Sequence, residues 1–256
     1  MNSPHTISSS KVYLVGAGPG AADLITVRGA KLLAQADAVL YDALVTDEML
    51  GLCPQAVKIN VGKRCGKKSV AQLFINRMLV NTARKYRLVV RLKGGDPMLF
   101  GRADEELRAL EAAGITYEVV PGITAALAAA SAVGKPLTKR GVARSVAFFT
   151  SSTAPDEDTQ TTLPDCDTLV QYMGGREAIA TAQRLLDQGR DPNLPVIIIE
   201  NCSLPNQRIH TTDLRTLRQG LPTATGPVLV MMGEALALRD SEQQMHQSKA
   251  LKVMVG

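Results

Sequence analysis

Short apolar runs recur along the chain, and the segments between them place apolar residues three or four positions apart. Between residues 11 and 120 the runs are rich in Val, Ile and Leu and have the length of single strands, whereas the intervening segments have helical periodicity. Alternating strands and helices are typical of a mostly parallel sheet with crossover helices. The pattern predicts strands at residues 12–15, 38–41, 57–61, 88–92 and 117–120.

Three helices are predicted between these strands. The first follows residue 20 and directs apolar side chains that include Leu24 and Val27 toward a core. The second begins at Ser69, which can form a capping box with the glutamine three residues later. The third carries the acidic residues 104–106 in its first turn, where they complement the helix dipole, and ends near Gly114.

The second half of the chain continues the alternation. An alanine-rich segment at 124–132 predicts a helix, and a basic stretch with Gly and Pro follows it. Strands are predicted at residues 146–150, 168–172, 196–200, 208–212 and 228–232, with a helix at 176–188. The predicted organisation is a flexible arm at 1–10, an N-terminal α/β domain at 11–136, an interdomain connection at 137–145, a C-terminal α/β domain at 146–240 and a tail at 241–256.

Length and composition narrow the class of protein. A chain of 256 residues with 45% hydrophobic content can bury the cores of two small domains. Residues 1–10 are polar and predict a loose arm rather than a signal peptide. No apolar run approaches the roughly 20 residues that span a bilayer. The sequence therefore predicts a cytoplasmic protein with no membrane partner.

Cysteines and histidines do not form a metal-binding pattern. Cys53, Cys65, Cys166 and Cys202 are too scattered for a C-x-x-C knuckle and are predicted to be free thiols. The three histidines lie far from the glycine-rich turns described below. We expect neither a structural metal nor histidine acid–base chemistry.

The charge of the chain favours an acidic partner. The formal net charge is +5, yet only 4% of residues are aromatic and none is Trp, so stacking platforms for single-stranded nucleic acid are scarce. Basic residues cluster at 63–68 and at 139–144. Local clusters fit a polyanionic small molecule at least as well as a nucleic-acid backbone, and a solvated basic face is the alternative interpretation.

Two glycine-rich turns follow predicted strands, at residues 16–20 (GAGPG) and 93–97 (KGGDP). Turns at the carboxyl ends of strands are where open α/β sheets bind ligands. The first turn also fits a dinucleotide fingerprint, with Asp42 in the place of the ribose-binding acid. Pro19 argues against that site because it has no N–H for a pyrophosphate. A cofactor cradle, a dinucleotide site and a purely structural turn stay open at this point.

Four segments together resemble one family. They are VGAGPG at 15–20, VGKR at 61–64, RLKGGDP at 91–97 continuing to FGR at 100–102, and VPGITAA at 120–126. This ordered set resembles the tetrapyrrole methylases, and among them the enzymes that C-methylate uroporphyrinogen III. The resemblance covers roughly residues 11–240. It implies a two-domain α/β fold with a mostly parallel N-terminal sheet, a mixed-sheet C-terminal domain and a cofactor cleft between them.

The resemblance also implies the cofactor, the assembly and the reaction. The cofactor would be S-adenosylmethionine, leaving as S-adenosylhomocysteine, and the protein would be a homodimer. The substrate would be uroporphyrinogen III, a polyanionic tetrapyrrole, methylated at carbons 2 and 7 to give precorrin-2 by way of precorrin-1 for sirohaem or cobalamin synthesis. The implied cofactor contacts are Pro19, Gly94, Gly95, Asp96, Leu99, Thr124, Ala125, Met173 and Cys202.

Acid–base and substrate roles follow from the same resemblance. Asp42 would accept a proton and Lys63 would donate one. Arg102 and Arg140 can each hold a substrate carboxylate with two hydrogen bonds. Glu105, one helical turn beyond Arg102, would orient it or meet a pyrrole N–H. A plain surface pair between Arg102 and Glu105 is the alternative interpretation.

The chain departs from the family's usual sequence at several places near the predicted cleft. Ala103-Asp104 replaces a pair of small residues, and Asp104 adds an anion close to an anionic substrate. Lys139 replaces a histidine, Cys202 stands where the family usually has Gly, and residues 150–152 also differ. These departures leave two alternatives: a methyltransferase for a later precorrin, and a catalytically weakened homologue that keeps the cofactor site.

Overall fold

The computed structural model describes residues 10–62, 68–151, 162–175, 177–221 and 223–237, without the side chains of residues 68–70. The chain divides into two compact units. The first contains the chain up to Ala128 together with Cys202–Asn206, and the second contains Ala129–Asn201 and the chain from Gln207 onward. The domain boundaries proposed from the sequence, including the connection at 137–145, stay predictions.

The first unit is built on a five-stranded parallel sheet. Its strands lie in the order β3-β2-β4-β1-β5, and every neighbouring pair is parallel. The carboxyl ends of all five strands therefore lie at one edge of the sheet. The strands are β1 Lys11–Gly16, β2 Ala38–Tyr41, β3 Val57–Asn60, β4 Leu88–Lys93 and β5 Thr116–Val120.

Helices cover both faces of this sheet, because successive side chains of a strand point to opposite faces. On one face Leu33 and Met49 pack with Val15 of β1. On the other face Leu79 and Leu110 pack with residues of the same strands. The helices are α1 Val27–Gln35 and α2 Asp47–Leu50 on the first face, α3 Lys68–Ala83 and α4 Ala103–Ala112 on the second, and α5 Ala125–Ala132 after β5.

Two details of the predicted helices are wrong. Leu24 lies in a separate short 3₁₀ helix, Ala22–Leu24, and the side chain of Val27 is 72% exposed. The first α-helix starts where Thr26 caps it, with the Thr26 hydroxyl accepting a hydrogen bond from the Gly29 N–H at 3.1 Å. The second predicted helix corresponds to α3, whose described range begins at Lys68, one residue before the predicted start at Ser69.

The second unit contains a five-stranded mixed sheet. Its order is β6-β7-β10-β8-β9, in which β6 and β7 are parallel and the other neighbours are antiparallel. Apolar residues of α6 and α7 cover one face, where Leu185 and Leu217 are fully buried. The elements are β6 Val146–Thr150, β7 Thr168–Tyr172, α6 Glu177–Asp187, β8 Pro195–Glu200, β9 Arg208–Asp213, α7 Leu214–Gln219, β10 Val228–Met232 and a 3₁₀ helix Glu234–Leu236.

All ten predicted strands are present, with ends within one residue of the predicted ones. The predicted helices at 124–132 and 176–188 correspond to α5 and α6, and the third predicted helix is α4 with its acidic first turn. In the part of the chain that the structure describes, no helix combines the length and the apolar composition needed to cross a membrane. The two-domain α/β prediction, with one parallel and one mixed sheet, is confirmed.

Candidate functional site

The two glycine-rich turns lie side by side because β1 and β4 are neighbours in the sheet. Gly18 and Gly95 form a two-way backbone bridge: the Gly95 N–H donates to the Gly18 carbonyl at 2.7 Å, and the Gly18 N–H donates to the Gly95 carbonyl at 3.1 Å. The Ala17 N–H adds a bond to the Lys93 carbonyl at 2.7 Å. The turns therefore form one continuous backbone surface.

The ends of β1, β4 and β5 approach one another without side chains. A Cβ added to Gly16 would lie 2.5 Å from Gly122 Cα and 2.7 Å from the Gly95 carbonyl oxygen. Gly95 has a φ of +69°, and a Cβ there would meet nothing within 4 Å. Gly16 and Gly122 thus serve close packing, whereas Gly95 leaves open space beside the turn. That open space meets the need of a cofactor held by backbone groups.

Asp96 holds the second turn against the segment that leads into α5. Its Oδ2 accepts a hydrogen bond from the Gly122 N–H at 2.9 Å, and its Oδ1 accepts one from the Met98 N–H at 2.8 Å. The Leu99 N–H donates to the Asp96 carbonyl at 3.3 Å, and the Thr124 carbonyl accepts the first hydrogen bonds of α5. Asp96 is thus engaged by the backbone of its own unit at both carboxylate oxygens.

Residues Cys202–Asn206 pack against the first turn, although they are distant in sequence. The Ser203 hydroxyl accepts a hydrogen bond from the Ala21 N–H at 3.0 Å. The Cys202 thiol donates to the Ala125 carbonyl at 3.9 Å, and burial raises the pKa of this thiol. The Leu204 side chain lies so close to Gly20 that a Cβ there would be 2.8 Å from it. This segment connects the first turn to the start of α5.

Asp42 lies beside the second turn rather than the first. Its Oδ1 accepts a hydrogen bond from the Leu44 N–H at 3.0 Å, and its Oδ2 faces the Gly94 N–H at 3.4 Å. Arg91 of β4 approaches the same oxygen, with Nη1 at 4.0 Å. The Asp42 side chain is 26% exposed, so one part of the carboxylate is accessible.

Arg91 belongs to a group of three buried charged side chains. Arg91 and Lys93, two residues apart on β4, point toward α4 and both contact Glu106. The Arg91 Nε lies 3.0 Å from Glu106 Oε1, and the Lys93 Nζ lies 3.1 Å from Oε2. The pKa of Lys93 is lowered, first by burial and then by the neighbouring Arg91. We call Arg91, Lys93 and Glu106 the buried charge cluster.

Arg102 and Glu105 form a bidentate pair at the start of α4. The Arg102 Nε and Nη2 lie 2.7 and 2.9 Å from the two carboxylate oxygens of Glu105, and both side chains are about two-fifths exposed. Arg102 has a left-handed backbone with a φ of +53°. Asp104 pairs with Arg108 at 2.9 Å on the solvent side of the same helix. The charge of Asp104 is therefore compensated locally.

The strand order excludes a dinucleotide site of the Rossmann type. In that fold the first and second strands are neighbours, so that the acid after the second strand reaches the ribose. Here β4 lies between β1 and β2, and Asp42 is beside the second turn. No α-helix starts at the first turn, since α1 begins only at Val27. The anion-binding helix end that pyrophosphate requires is absent from this turn.

The remaining predicted residues belong to the second unit, apart from Lys63. Met173 follows β7 with a left-handed φ of +54° and is 51% exposed. Arg140 is exposed in a tight turn closed by backbone hydrogen bonds between Lys139 and Ala143. Lys63 and Cys65 lie outside the described residues, while Cys53, Cys166 and Cys202 are free thiols, as predicted.

A family model for the Tetrapyrrole (Corrin/Porphyrin) Methylases matches residues 11–218, well over half of the chain. The chain belongs to the tetrapyrrole methylases. Among curated relatives, the siroheme synthase of Psychrobacter cryohalolentis is 45% identical over 237 residues, which cover 89% of this chain and 45% of the relative. The siroheme synthase of Neisseria meningitidis serogroup B is 45% identical over 233 residues, covering 90% and 48%. The chain spans about half the length of these relatives.

Solved structures of tetrapyrrole methylases share the fold. A uroporphyrin-III C-methyl transferase from Thermus thermophilus, complexed with S-adenosylhomocysteine, is 38% identical with a TM-score of 0.77, covering 91% of this chain and 97% of that one. A cobalt precorrin-4 methyltransferase is 26% identical with a TM-score of 0.75, covering 89% and 96%. The predicted family, fold class and methyltransferase assignment are confirmed, and S-adenosylmethionine is confirmed as the cofactor at the level of the family.

Within the first unit, the predicted cofactor residues occupy one continuous region of this methylase. The Gly18–Gly95 bridge, the Asp96–Gly122 bond and the Cys202–Ala125 contact link the segments that carry them. The individual roles of these residues, and those of Met173 and Arg140, stay predictions. The sequence alone indicated no role for Ser203 or for the buried charge cluster. Charged residues in a strand that is otherwise apolar, at 91 and 93, are the feature that could have indicated the cluster.

Proposed function

We propose that this methylase transfers methyl groups from S-adenosylmethionine to uroporphyrinogen III at carbons 2 and 7, giving precorrin-2 by way of precorrin-1. The observation that carries the proposal is the backbone bridge between Gly18 and Gly95, with open space beside Gly95 and Asp42 next to Gly94. The similarity to the Thermus thermophilus uroporphyrin-III C-methyl transferase supports the choice of substrate.

The residues around the turns fit S-adenosylmethionine. Gly94 and Gly95 are both partly exposed and carry no side chain, and Gly95 has open space beside it. The other contacts within the first unit would come from Pro19, Asp96, Leu99, Thr124, Ala125 and Cys202. When bound, S-adenosylmethionine supplies a methyl group on a cationic sulfur. The contribution of the protein is to hold both reactants in line, because an electron-rich pyrrole carbon needs positioning more than activation.

Proton movement follows carbon–carbon bond formation in this proposal. As the methyl group bonds to the pyrrole carbon, the macrocycle becomes cationic and must lose a proton. Asp42 would accept that proton through the accessible part of its carboxylate, because its two oxygens are already oriented by Leu44 and Gly94. Relocation of a proton within the macrocycle also needs a donor, and Lys63 would supply that proton while the macrocycle gives up a further one to solvent, so that each methylation releases one proton overall.

Substrate carboxylates would contact arginines. The bidentate pair holds the Arg102 guanidinium fixed at the end of the loop that follows the second turn, so Glu105 can orient it toward a carboxylate. Arg140 would hold another carboxylate of the same polyanion. A plain surface pair between Arg102 and Glu105 is the competing interpretation, and a substitution at Arg102 separates the two.

Turnover with defined substrates tests the proposal. The chain, incubated with S-adenosylmethionine and freshly generated uroporphyrinogen III without oxygen, should yield S-adenosylhomocysteine and a product heavier by two methyl groups. Activity on later precorrins but not on uroporphyrinogen III would contradict the proposed substrate. The similarity to a cobalt precorrin-4 methyltransferase is the reason for testing these later precorrins. Binding of S-adenosylhomocysteine by calorimetry without turnover on any of these substrates would favour a weakened homologue.

The proposed assembly is a homodimer, as the family resemblance implies. Light scattering coupled to gel filtration should give twice the chain mass of 27.3 kDa. A mass of one chain at micromolar concentration, in a sample that binds S-adenosylhomocysteine, would contradict this assembly.

A further inference from the structure

The buried charge cluster places three charges where desolvation opposes them. Arg91 and Lys93 are each about 4% exposed, and Glu106 is fully buried. Replacing a buried ion pair by apolar residues of similar volume is often neutral or stabilising. Neighbouring core positions on the same faces, such as Val89 and Leu110, are apolar as expected. The charges at these three positions therefore need an explanation beyond packing.

The geometry of Arg91 connects the cluster to the proposed reaction centre. Its Nε is fixed by Glu106 at 3.0 Å, and its Nη1 donates to the Leu92 carbonyl at 3.0 Å. These two contacts leave the guanidinium little freedom to rotate, and the same Nη1 faces Asp42 Oδ2 at 4.0 Å. Glu106 and the Leu92 carbonyl thus hold the Arg91 guanidinium in the orientation in which it faces the Asp42 carboxylate.

The balance of charge supports the same connection. The cluster alone contains two cationic side chains and one carboxylate, which leaves one positive charge in a buried place. Asp42 supplies the second carboxylate, so the four side chains together are neutral. The lowered pKa of Lys93, caused by burial and then by Arg91, agrees with an excess of positive charge among the fully buried members.

We propose that Arg91, anchored by Glu106, is a positioning residue that holds the Asp42 carboxylate against the Gly94 N–H. Glu106 fixes the guanidinium through Oε1, and Lys93 binds Oε2, so both oxygens of the Glu106 carboxylate have a cationic partner. Arg91 itself is buried and would contact neither substrate nor cofactor. The role in turnover rests on the proposed function, whereas the placement of Asp42 does not.

Four variants distinguish positioning from simple structural support. Arg91→Gln removes the charge that faces Asp42, and Arg91→Lys keeps a charge but loses the fork that Glu106 fixes. Arg108→Gln is the matched control, because Arg108 belongs to an exposed pair on the neighbouring α4. Asp42→Asn provides the reference for loss of the carboxylate itself.

The first measurement needs no turnover. The Leu44 and Gly94 N–H groups both face Asp42, so their amide resonances report where the carboxylate lies. We expect Arg91→Gln to move both resonances in the direction in which Asp42→Asn moves them, and Arg108→Gln to leave them in place. Unchanged resonances in folded Arg91→Gln overturn the proposal.

The second measurement separates the effect of each substitution on kcat from its effect on KM. With uroporphyrinogen III, Arg91→Gln should lower kcat by about a hundredfold, the effect of a misplacement of about 1 Å. KM and the affinity for S-adenosylhomocysteine should change by less than about twofold, and Arg91→Lys should recover about tenfold of the lost kcat. A loss that appears in KM, or in cofactor affinity, contradicts a positioning role.

Two further outcomes are also decisive. Should Arg91→Gln fail to fold, Arg91→Lys carries the test, and a lysine variant that shifts neither amide nor kcat overturns the proposal. Absence of turnover by the wild-type chain would reject the proposed function alone, since the amide resonances still show whether Arg91 places Asp42.

Discussion

At the scale of single residues, two aspartates follow neighbouring strands at the carboxyl edge of the first sheet and have different surroundings. Both accept backbone N–H groups at their two carboxylate oxygens, Asp96 from Met98 and Gly122, and Asp42 from Leu44 and Gly94. Asp42 also faces a buried cation, with its Oδ2 4.0 Å from Arg91 Nη1. Asp96 thus joins the second turn to the segment before α5, whereas Asp42 joins that turn to the buried charge cluster. Substitutions at these two positions should accordingly affect stability and turnover differently.

Arg102→Ala should weaken the affinity for uroporphyrinogen III by about tenfold to a hundredfold, the value of a lost charge-assisted hydrogen bond. The free energy of unfolding should change by less than about 1 kcal/mol, because the pair with Glu105 is exposed. Steady-state kinetics and calorimetry with S-adenosylhomocysteine measure the two affinities. Arg108→Ala, in the other exposed pair of α4, is the control. Equal losses of substrate and cofactor affinity in Arg102→Ala would contradict the placement.

Asp167→Asn should remove part of the acid sensitivity of the second unit. Hydrogen bonds from the Arg144 N–H, and from the hydroxyl and N–H of Ser145, hold the pKa of Asp167 below its ordinary value of 3.8. A carboxyl with a lowered folded pKa contributes stability above pH 3.8 that is lost as pH falls through the folded pKa.

Urea unfolding between pH 7 and pH 2 checks this. Wild type should lose more stability over the acidic part of that range than Asp167→Asn does. Ser145→Ala, which removes one of the three donors to Asp167, should lie between them. Parallel curves for wild type and Asp167→Asn would show that the hydrogen bonds leave the titration of Asp167 unchanged on folding.

The glycines and the aspartates at strand ends were predictable at this scale, because each changes what a turn can do locally. The buried charge cluster was not. The motif that contains Arg91 and Lys93 indicated the family but no role for these two side chains. Glu106 was interpreted as one of three first-turn acids of α4. Local periodicity cannot show that one of these acids faces two cations of a strand, since that depends on the packing of α4 against β4.

At the scale of elements, the strands were predictable because each is a short apolar run bounded by turn residues. The start of α1 was not, because two start positions compete. Glycine-rich sequence suggested a helix immediately after the turn, whereas Thr26 provides the cap and leaves Leu24 in a 3₁₀ helix. The Thr26 cap therefore sets the start of α1, and the boundary of the apolar pattern does not.

Gly16→Ala should show how closely the ends of β1, β4 and β5 approach. The new Cβ would lie 2.5 to 2.7 Å from backbone atoms of Gly122 and Gly95, which cannot rotate away. We expect a loss of at least about 2 kcal/mol in the free energy of unfolding, typical of overpacking, and weaker binding of S-adenosylhomocysteine. Gly175→Ala, where a Cβ meets nothing within 4 Å, is the control. A Gly16→Ala variant with an unchanged free energy of unfolding and unchanged binding of S-adenosylhomocysteine would mean that the three strand ends can separate freely.

At the scale of the whole molecule, the order of strands determines which residues adjoin the first turn. Alternating strands and helices predicted a parallel sheet but not that β4 would lie between β1 and β2. Periodicity fixes which segments form strands, while the order depends on which crossovers pack together. That order joins the two glycine turns and separates Asp42 from the first of them.

Replacing Cys202–Asn206 by a five-residue glycine–serine linker should destabilise the first unit. Leu204 would no longer cover Gly20, and the Ala21 N–H would lose the Ser203 hydroxyl. Hydrogen exchange should quicken at Ala21 and over β1, while α6 keeps its protection. The single change Ser203→Ala should expose the Ala21 amide with a smaller effect elsewhere. Unaltered exchange at Ala21 in the linker variant would show that this segment is dispensable.

The membership of Cys202–Asn206 in the first unit also restricts how this methylase can be recombined with its relatives. A chimera joined at a single crossover near residue 140 would combine the glycine turns of one parent with the 202–206 segment of the other. Leu204 and Ser203 would then face a foreign partner at Gly20 and Ala21. Chimeras that exchange substrate preference therefore need two further crossovers, so that residues 202–206 travel with the turns they cover.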